Sequence, residues 1–178
     1  MIDLTKKEGL PNVVMINGSP YSIYTDFRPW MRLEIAMSKM RPDEGIDVSY
    51  LFMNEKPMYC NLMDLLIFAR PQSELPRSMG HSDVIALDYE LDADYIYSAF
   101  MSQYGIDLCD IEYLHWHKFL ALMKGLKDQV ICDIMQYRCY EKHENDKDVY
   151  AELREAWKIE RITAEEQAEI EKFNSYFS

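Results

Sequence analysis

His115 and His117 lie two apart in the segment LHWHKF, and closely spaced histidines are the first place to look for a metal. On a helix, however, positions two apart point roughly 200° away from each other, so this pair does not converge on one ion. No His-Glu-x-x-His spacing exists, and His81 and His143 lie in unrelated segments. The expected roles are a hydrogen-bonded structural histidine at 115 and a surface histidine at 117. Carboxylates also come in pairs, Asp92 with Asp94 and Glu165 with Glu166. A general acid needs its carboxyl in an apolar pocket. These pairs sit in charged stretches, where helix starts and solvated faces account for them. Gly-x-Ser-x-Gly, phosphate-loop and dinucleotide patterns are missing, and nothing marks a Cys–His pair. The sequence predicts no catalytic residue, no cofactor and no metal.

Other polar groups stand among aromatics. Asp26-Phe27-Arg28-Pro29-Trp30 offers an acid, a planar cation and two large rings within a turn and a half of helix, and Trp116-His117-Lys118 offers a similar mix. Arginine stacked on rings beside a carboxylate anchors many interfaces. The same set also ties elements together inside a fold, and its place beside a docking hairpin favours that reading. Phe173 and Phe177 sit on a thin apolar line near the end of the chain, suited to docked core or to a partner. Asp26, Phe27, Arg28, Trp30, His117, Lys118, Phe173 and Phe177 are therefore the candidate partner-binding or anchoring residues.

The elements that must position them are mostly helices. Val13–Ile16 and Tyr21–Tyr24 flank Asn17-Gly18, a hairpin signal. Asp26 can cap a helix over 27–40, with Pro29 in its first turn and Trp30, Leu33, Met37 and Met40 as its stripe. A short helix is expected within 42–54 and another over 58–69, starting at Pro57 with Met58, Leu62, Leu65, Leu66 and Ala69 inward. From Asp88 to Leu126 the pattern gives a helical pair. Ile96, Phe100 and Tyr104 end at Gly105; Asp107 caps a second helix lined by Trp116, Phe119, Leu120 and Met123, stopped at Gly125. Trp116 is expected to bury its ring against the 91–104 helix. A helix near 128–139 uses Val130, Ile131, Ile134 and Tyr137, and the next carries Val149, Leu153, Ala156 and Trp157. Thr163 and Glu166 form a capping box for a last helix with Ile170, Phe173 and Phe177.

The predicted fold is a single, mainly α domain of five to seven helices with an N-terminal β-hairpin packed on it. The hairpin spans 12–24, the helical core 26–140 with a loop at 71–88, and acidic C-terminal helices 141–178. Composition agrees: 48% hydrophobic and 13% aromatic residues suffice for a packed core. The 12 methionines suit irregular cores and also adaptable binding surfaces. Basic residues number 19 against 31 acidic, a net charge of -12, which argues against nucleic acid and anionic membranes as partners. Cys60, Cys109, Cys132 and Cys139 form no Cys-x-x-Cys pair and read as free, partly buried thiols. No secretory leader pattern or membrane-length apolar run is present, so the host cell cytoplasm is the expected location.

Tyr21–Glu34 (YSIYTDFRPWMRLE), together with YGIDL at Tyr104–Leu108, LHWHKF at Leu114–Phe119 and ALMKGL at Ala121–Leu126, resembles the bacteriophage gene-product-fifteen family of tailed phages and prophages. His117 stands where that family usually has an aromatic. The family's genes tend to lie between those for the major tail protein and the tape measure protein, where tail assembly chaperones are encoded. The resemblance thus implies a non-enzymatic tail assembly chaperone or morphogenesis factor. Its implied partners are the tape measure protein, with the major tail protein, a second tail assembly chaperone or another copy of the chain as further candidates. Two alternatives stay open on the sequence: an acidic inhibitor of a host defence protein, and an enzyme whose site carries no known motif.

Overall fold

The computed structural model describes residues 5–6, 9–41, 45–71, 84–141, 148–160 and 173. At the N-terminus, β1 (Val13–Ile16) and β2 (Ser19–Ser22) pair antiparallel, with Val13 opposite Ser22 and Ile16 opposite Ser19. Asn17 and Gly18 take φ of 50° and 80°, the left-handed pair that a tight two-residue turn needs. Strand alternation buries Val14 and Ile16 and leaves Val13 and Met15 outside. Two strands alone are marginal. The hairpin is held by its continuation: Ile23 bridges Phe52, and Tyr24 N–H donates to Leu51 O at 2.9 Å. Only a 3-10 turn, Ser49–Leu51, forms where a short helix is expected; residues 42–44 lie outside the described set.

Six α-helices follow among the described residues: α1 (Phe27–Lys39), α2 (Leu62–Ala69), α3 (Ala93–Tyr104), α4 (Trp116–Lys124), α5 (Val130–Arg138) and α6 (Asp148–Trp157). The chain is mainly α with an N-terminal hairpin, as its patterning predicts. Asp26 caps α1 by accepting from Arg28 N–H. α2 begins later than the pattern suggests. Asn61 takes the cap by accepting from Met63 N–H, which leaves Met58 outside the helix and fully exposed. Gly105 ends α3 at φ 63°, the left-handed stop.

α4 departs most from expectation. Asp107 does not cap it; its carboxylate accepts from the N–H groups of Cys109 and Asp110 and closes a separate turn. The helix starts at Trp116, where the His115 ring accepts from His117 N–H. Gly125 does end α4, but at φ −87°, not in the left-handed region. Space favours glycine there: a Cβ would lie 2.9 Å from the Tyr104 hydroxyl, which would have to move aside.

Rings fill the core. Phe119 of α4 stacks on Phe27 of α1 at 5.2 Å, on Phe100 of α3 at 5.1 Å and on Trp116 at 5.5 Å. In α5, Ile131 and Ile134 are buried, whereas Val130 is exposed, so the inward stripe is narrower than the one expected. α6 packs on α5, and Trp157 meets Tyr95 of α3 edge-on at 5.9 Å. Val149 and Ala156 of its expected stripe point outward. The Thr163–Glu166 box, Ile170 and Phe177 lie outside the described residues. Cys60 and Cys132 are half-buried free thiols as expected, but Cys109 and Cys139 are exposed.

Candidate functional site

The segment around Asp26 and the segment around His115 meet as an antiparallel bridge, although 88 residues separate the groups that bond. Phe27 N–H donates to Leu114 O at 2.9 Å, and Trp116 N–H donates to Thr25 O at 2.8 Å. The start of α1 and the start of α4 are thus clasped side by side. Asp26 is the pivot. One carboxylate oxygen caps Arg28 N–H at 3.1 Å; the other accepts from Leu114 N–H at 3.1 Å. Arg28 Nη1 reaches both oxygens at 3.1 and 3.3 Å, while Nη2 donates to Ile111 O at 2.6 Å and Leu108 O at 3.3 Å. Arg28 therefore ties α1 to the loop between α3 and α4. Its guanidinium also lies 4.8 Å from the Phe27 ring centre.

His115 and His117 come together after all. Because His115 is a cap and not a helical residue, the 200° argument fails, and the two ring centres are 5.3 Å apart. Both are buried, so His117 is no surface histidine. Its ring lies 4.5 Å from that of Phe68 in α2 and packs as an aromatic would. Each histidine gives its Nε2–H to a carbonyl, His115 to Pro11 at 3.0 Å and His117 to Phe68 at 2.8 Å. Carbonyls only accept, which fixes both tautomers. Nδ1 of His115 is taken by the cap, and Nδ1 of His117 is buried with no partner among the described residues. Burial pushes His117 down to about 4, so the ring is neutral near pH 7. No group of three metal-ligating side chains converges among the described residues.

The LHWHKF segment serves α2. The last carbonyls of a helix have no partner within it. Here Phe68 O is met by His117 and Ala69 O by the Trp116 indole N–H at 2.7 Å. The polar edge of Trp116 thus goes to α2, not α3, and Phe119 carries the contact to Phe100. Trp30, fully buried, donates to Tyr24 O at 2.7 Å and leans on Phe68 at 4.3 Å. Of the predicted residues, Asp26, Phe27, Arg28, Trp30 and His117 assemble into this junction. Lys118 points outward, Phe173 is exposed, and Phe177 lies outside the described residues.

Two adjoining clefts of about 220 and about 260 Å3 share Glu34, Arg70 and Tyr89. Glu34 and Arg70 pair through two bonds of 2.6 and 3.0 Å. Burial, then the Glu34 charge, pushes the Tyr89 phenol up to about 12, which leaves it neutral at physiological pH.

Residues 7–159 match the family described as Bacteriophage Gp15 protein. The chain belongs to that family. No curated protein and no solved structure matches it. In this Gp15 chain two of the segments that carry the resemblance, Tyr21–Glu34 and Leu114–Phe119, are the two halves of the clasp.

One feature escaped sequence reading. Asp92 does stand at a helix start, just before α3, but not on a solvated face: it is 1% exposed, and Arg138 is 5% exposed. They form a buried ion pair because Arg138 falls on the inward stripe of α5, one turn beyond Ile134. A cation in line with an apolar stripe is the signal that could have revealed it. No helix of the described residues is long and apolar enough to cross a membrane.

Proposed function

We propose that this phage protein is a non-enzymatic tail assembly chaperone or closely related morphogenesis factor, acting in the host cytoplasm. Membership of the Gp15 family supports the reading, since the resemblance implies genes that lie beside that of the tape measure protein. A tape measure protein is long and helical, and its apolar faces stand open until the tube forms around it. A chaperone for such a chain needs a stable body and an apolar surface left free to cover it. The aromatic core supplies the body, and large apolar side chains remain exposed on α2 and in the turn before it. The polar groups of the clasp fit the same reading: they are consumed in holding the fold together.

Co-expression with the tape measure protein of the same phage is the test. The partner should move from the pellet to the soluble fraction and co-purify with this chain. Unchanged solubility together with no co-purification would refute the proposal.

A further inference from the structure

Seven of the eight residues of α2 are apolar, Asp64 being the exception. A helix apolar all round belongs in an interior, yet among the described residues α2 is covered on one side only. Leu65, Phe68 and Ala69 face the core, whereas Met63 is 64% and Ile67 76% exposed, one turn apart on the outer side. Met58 and Tyr59, at 106% and 71%, stand free in the turn leading to the Asn61 cap. Four large apolar side chains within ten residues of chain are a surface, not scatter. Two are methionines, whose flexible thioethers adapt to varied partner shapes.

Charge selects the occupant. Asp64 lies in the first turn of α2 beside Met63 and makes no ion pair among the described residues. Covering it with a purely apolar partner would strip water from a carboxylate and give nothing back. A second copy is disfavoured, because a two-fold axis through the face would bring two Asp64 carboxylates together and add two net charges of -12. The same charge opposes an anionic membrane.

We infer that the outer face of α2, with Met58 and Tyr59, docks an amphipathic helix of another protein whose apolar stripe carries a lysine or arginine opposite Asp64. The inference rests on the proposed function and gives its partner surface a chemical description.

The probe is a fluorescein-labelled peptide of leucine and lysine, about 18 residues long so that it can be helical, with a leucine–glutamate peptide as its counterpart. Anisotropy titration of the full chain should show binding of the first and not the second. Met63→Gln with Ile67→Gln should weaken binding about tenfold or more. Asp64→Asn should weaken it less and flatten its salt dependence. Val149→Gln, exposed on α6, should leave it unchanged. The altered side chains are exposed, and circular dichroism should report an intact fold. Equal binding by the Met63→Gln, Ile67→Gln chain, or by the glutamate peptide, would overturn the inference. So would a concentration-dependent dimer that this double variant dissolves, since the face would then belong to a second copy. If the double variant loses the peptide but still co-purifies the tape measure protein, the α2 face is wrong and the chaperone reading stands. If the wild-type chain binds the peptide on this face but never the tape measure protein, the chaperone reading fails alone.

Discussion

Arg138 and Asp92, 46 residues apart, meet through two parallel bonds of 2.6 and 2.9 Å with almost no solvent on either side chain. Arg138 also donates to Ala86 O at 3.2 Å and, through Nε, to Trp157 O at the end of α6. Removing one partner strands a buried charge, which costs about 3–5 kcal/mol. Arg138→Met should therefore lower the urea midpoint sharply and speed amide exchange in α6. Arg138→Met with Asp92→Leu should lose much less than the two single changes summed. A single-variant loss below about 1 kcal/mol would show that the pair contributes little.

Acidification should destabilise the fold through His117. Its ring ionises near 6.5 when unfolded and at about 4 in the fold, chiefly from burial, while the bond to Phe68 O pulls the other way. As pH falls from about 7, the unfolded chain binds a proton that the fold refuses, so stability declines until about pH 4 and the contribution is then spent. The two values correspond to a loss on the order of 3 kcal/mol across that window. His115 shifts in the same direction, also from burial. Urea midpoints between pH 7.5 and 4.5 should fall more steeply for the wild-type chain than for His117→Gln. Parallel slopes would rule out His117 as the cause.

Tyr104 and Gly125 should be coupled. The Tyr104 hydroxyl donates to Leu122 O at 2.8 Å, in the space a Cβ at 125 would need. Gly125→Ala pushes the hydroxyl away and should cost about 1 kcal/mol, the usual worth of such a bond. In a Tyr104→Phe background the same change should cost far less, a coupling that a double-mutant cycle measures directly. Additive effects would mean the crowding is relieved elsewhere. Gly105→Ala, by contrast, should cost about 1–2 kcal/mol in either background, because φ there is 63°.

Trp116→Ala should cost about 3–5 kcal/mol, as for other buried aromatics. It empties a space between Phe119 and Tyr89 and leaves Ala69 O without a donor. Lys118→Ala, on the exposed side of the same helix, should shift stability by no more than about 0.5 kcal/mol. Thermal melts of the two variants decide the matter. A Trp116→Ala chain that melts normally would remove this residue from the core.

Legibility in the sequence followed locality. The Asn17-Gly18 turn, the Asp26 cap and the Gly105 stop are set by neighbours a few residues away, and each is where its pattern places it. The start of α4 is not local. Its cap is a histidine, outside the usual set, and the backbone before it is claimed by Thr25 and Asp26 from far upstream. Asp107 has the right chemistry for a cap but is used in a turn. A helix already running through His115 would turn His117 to the surface; the start at Trp116 turns it inward. The junction's members Asp26, Phe27, Arg28, Trp30 and His117 were visible as residue types. That Trp116 and His117 cap α2 was not, because a free carbonyl leaves no mark in a sequence.

The clasp between Asp26 and Leu114 also sets a clock on biosynthesis. Translation adds about 5–20 residues per second, so the 88 residues between them occupy on the order of 4–18 s. Throughout that interval the start of α1 has only Arg28 to hold its cap, and Phe27 waits for Phe119 to arrive. The nascent chain therefore trails an unfinished apolar end for seconds, and its N-terminal half is completed only when the LHWHKF segment leaves the ribosome.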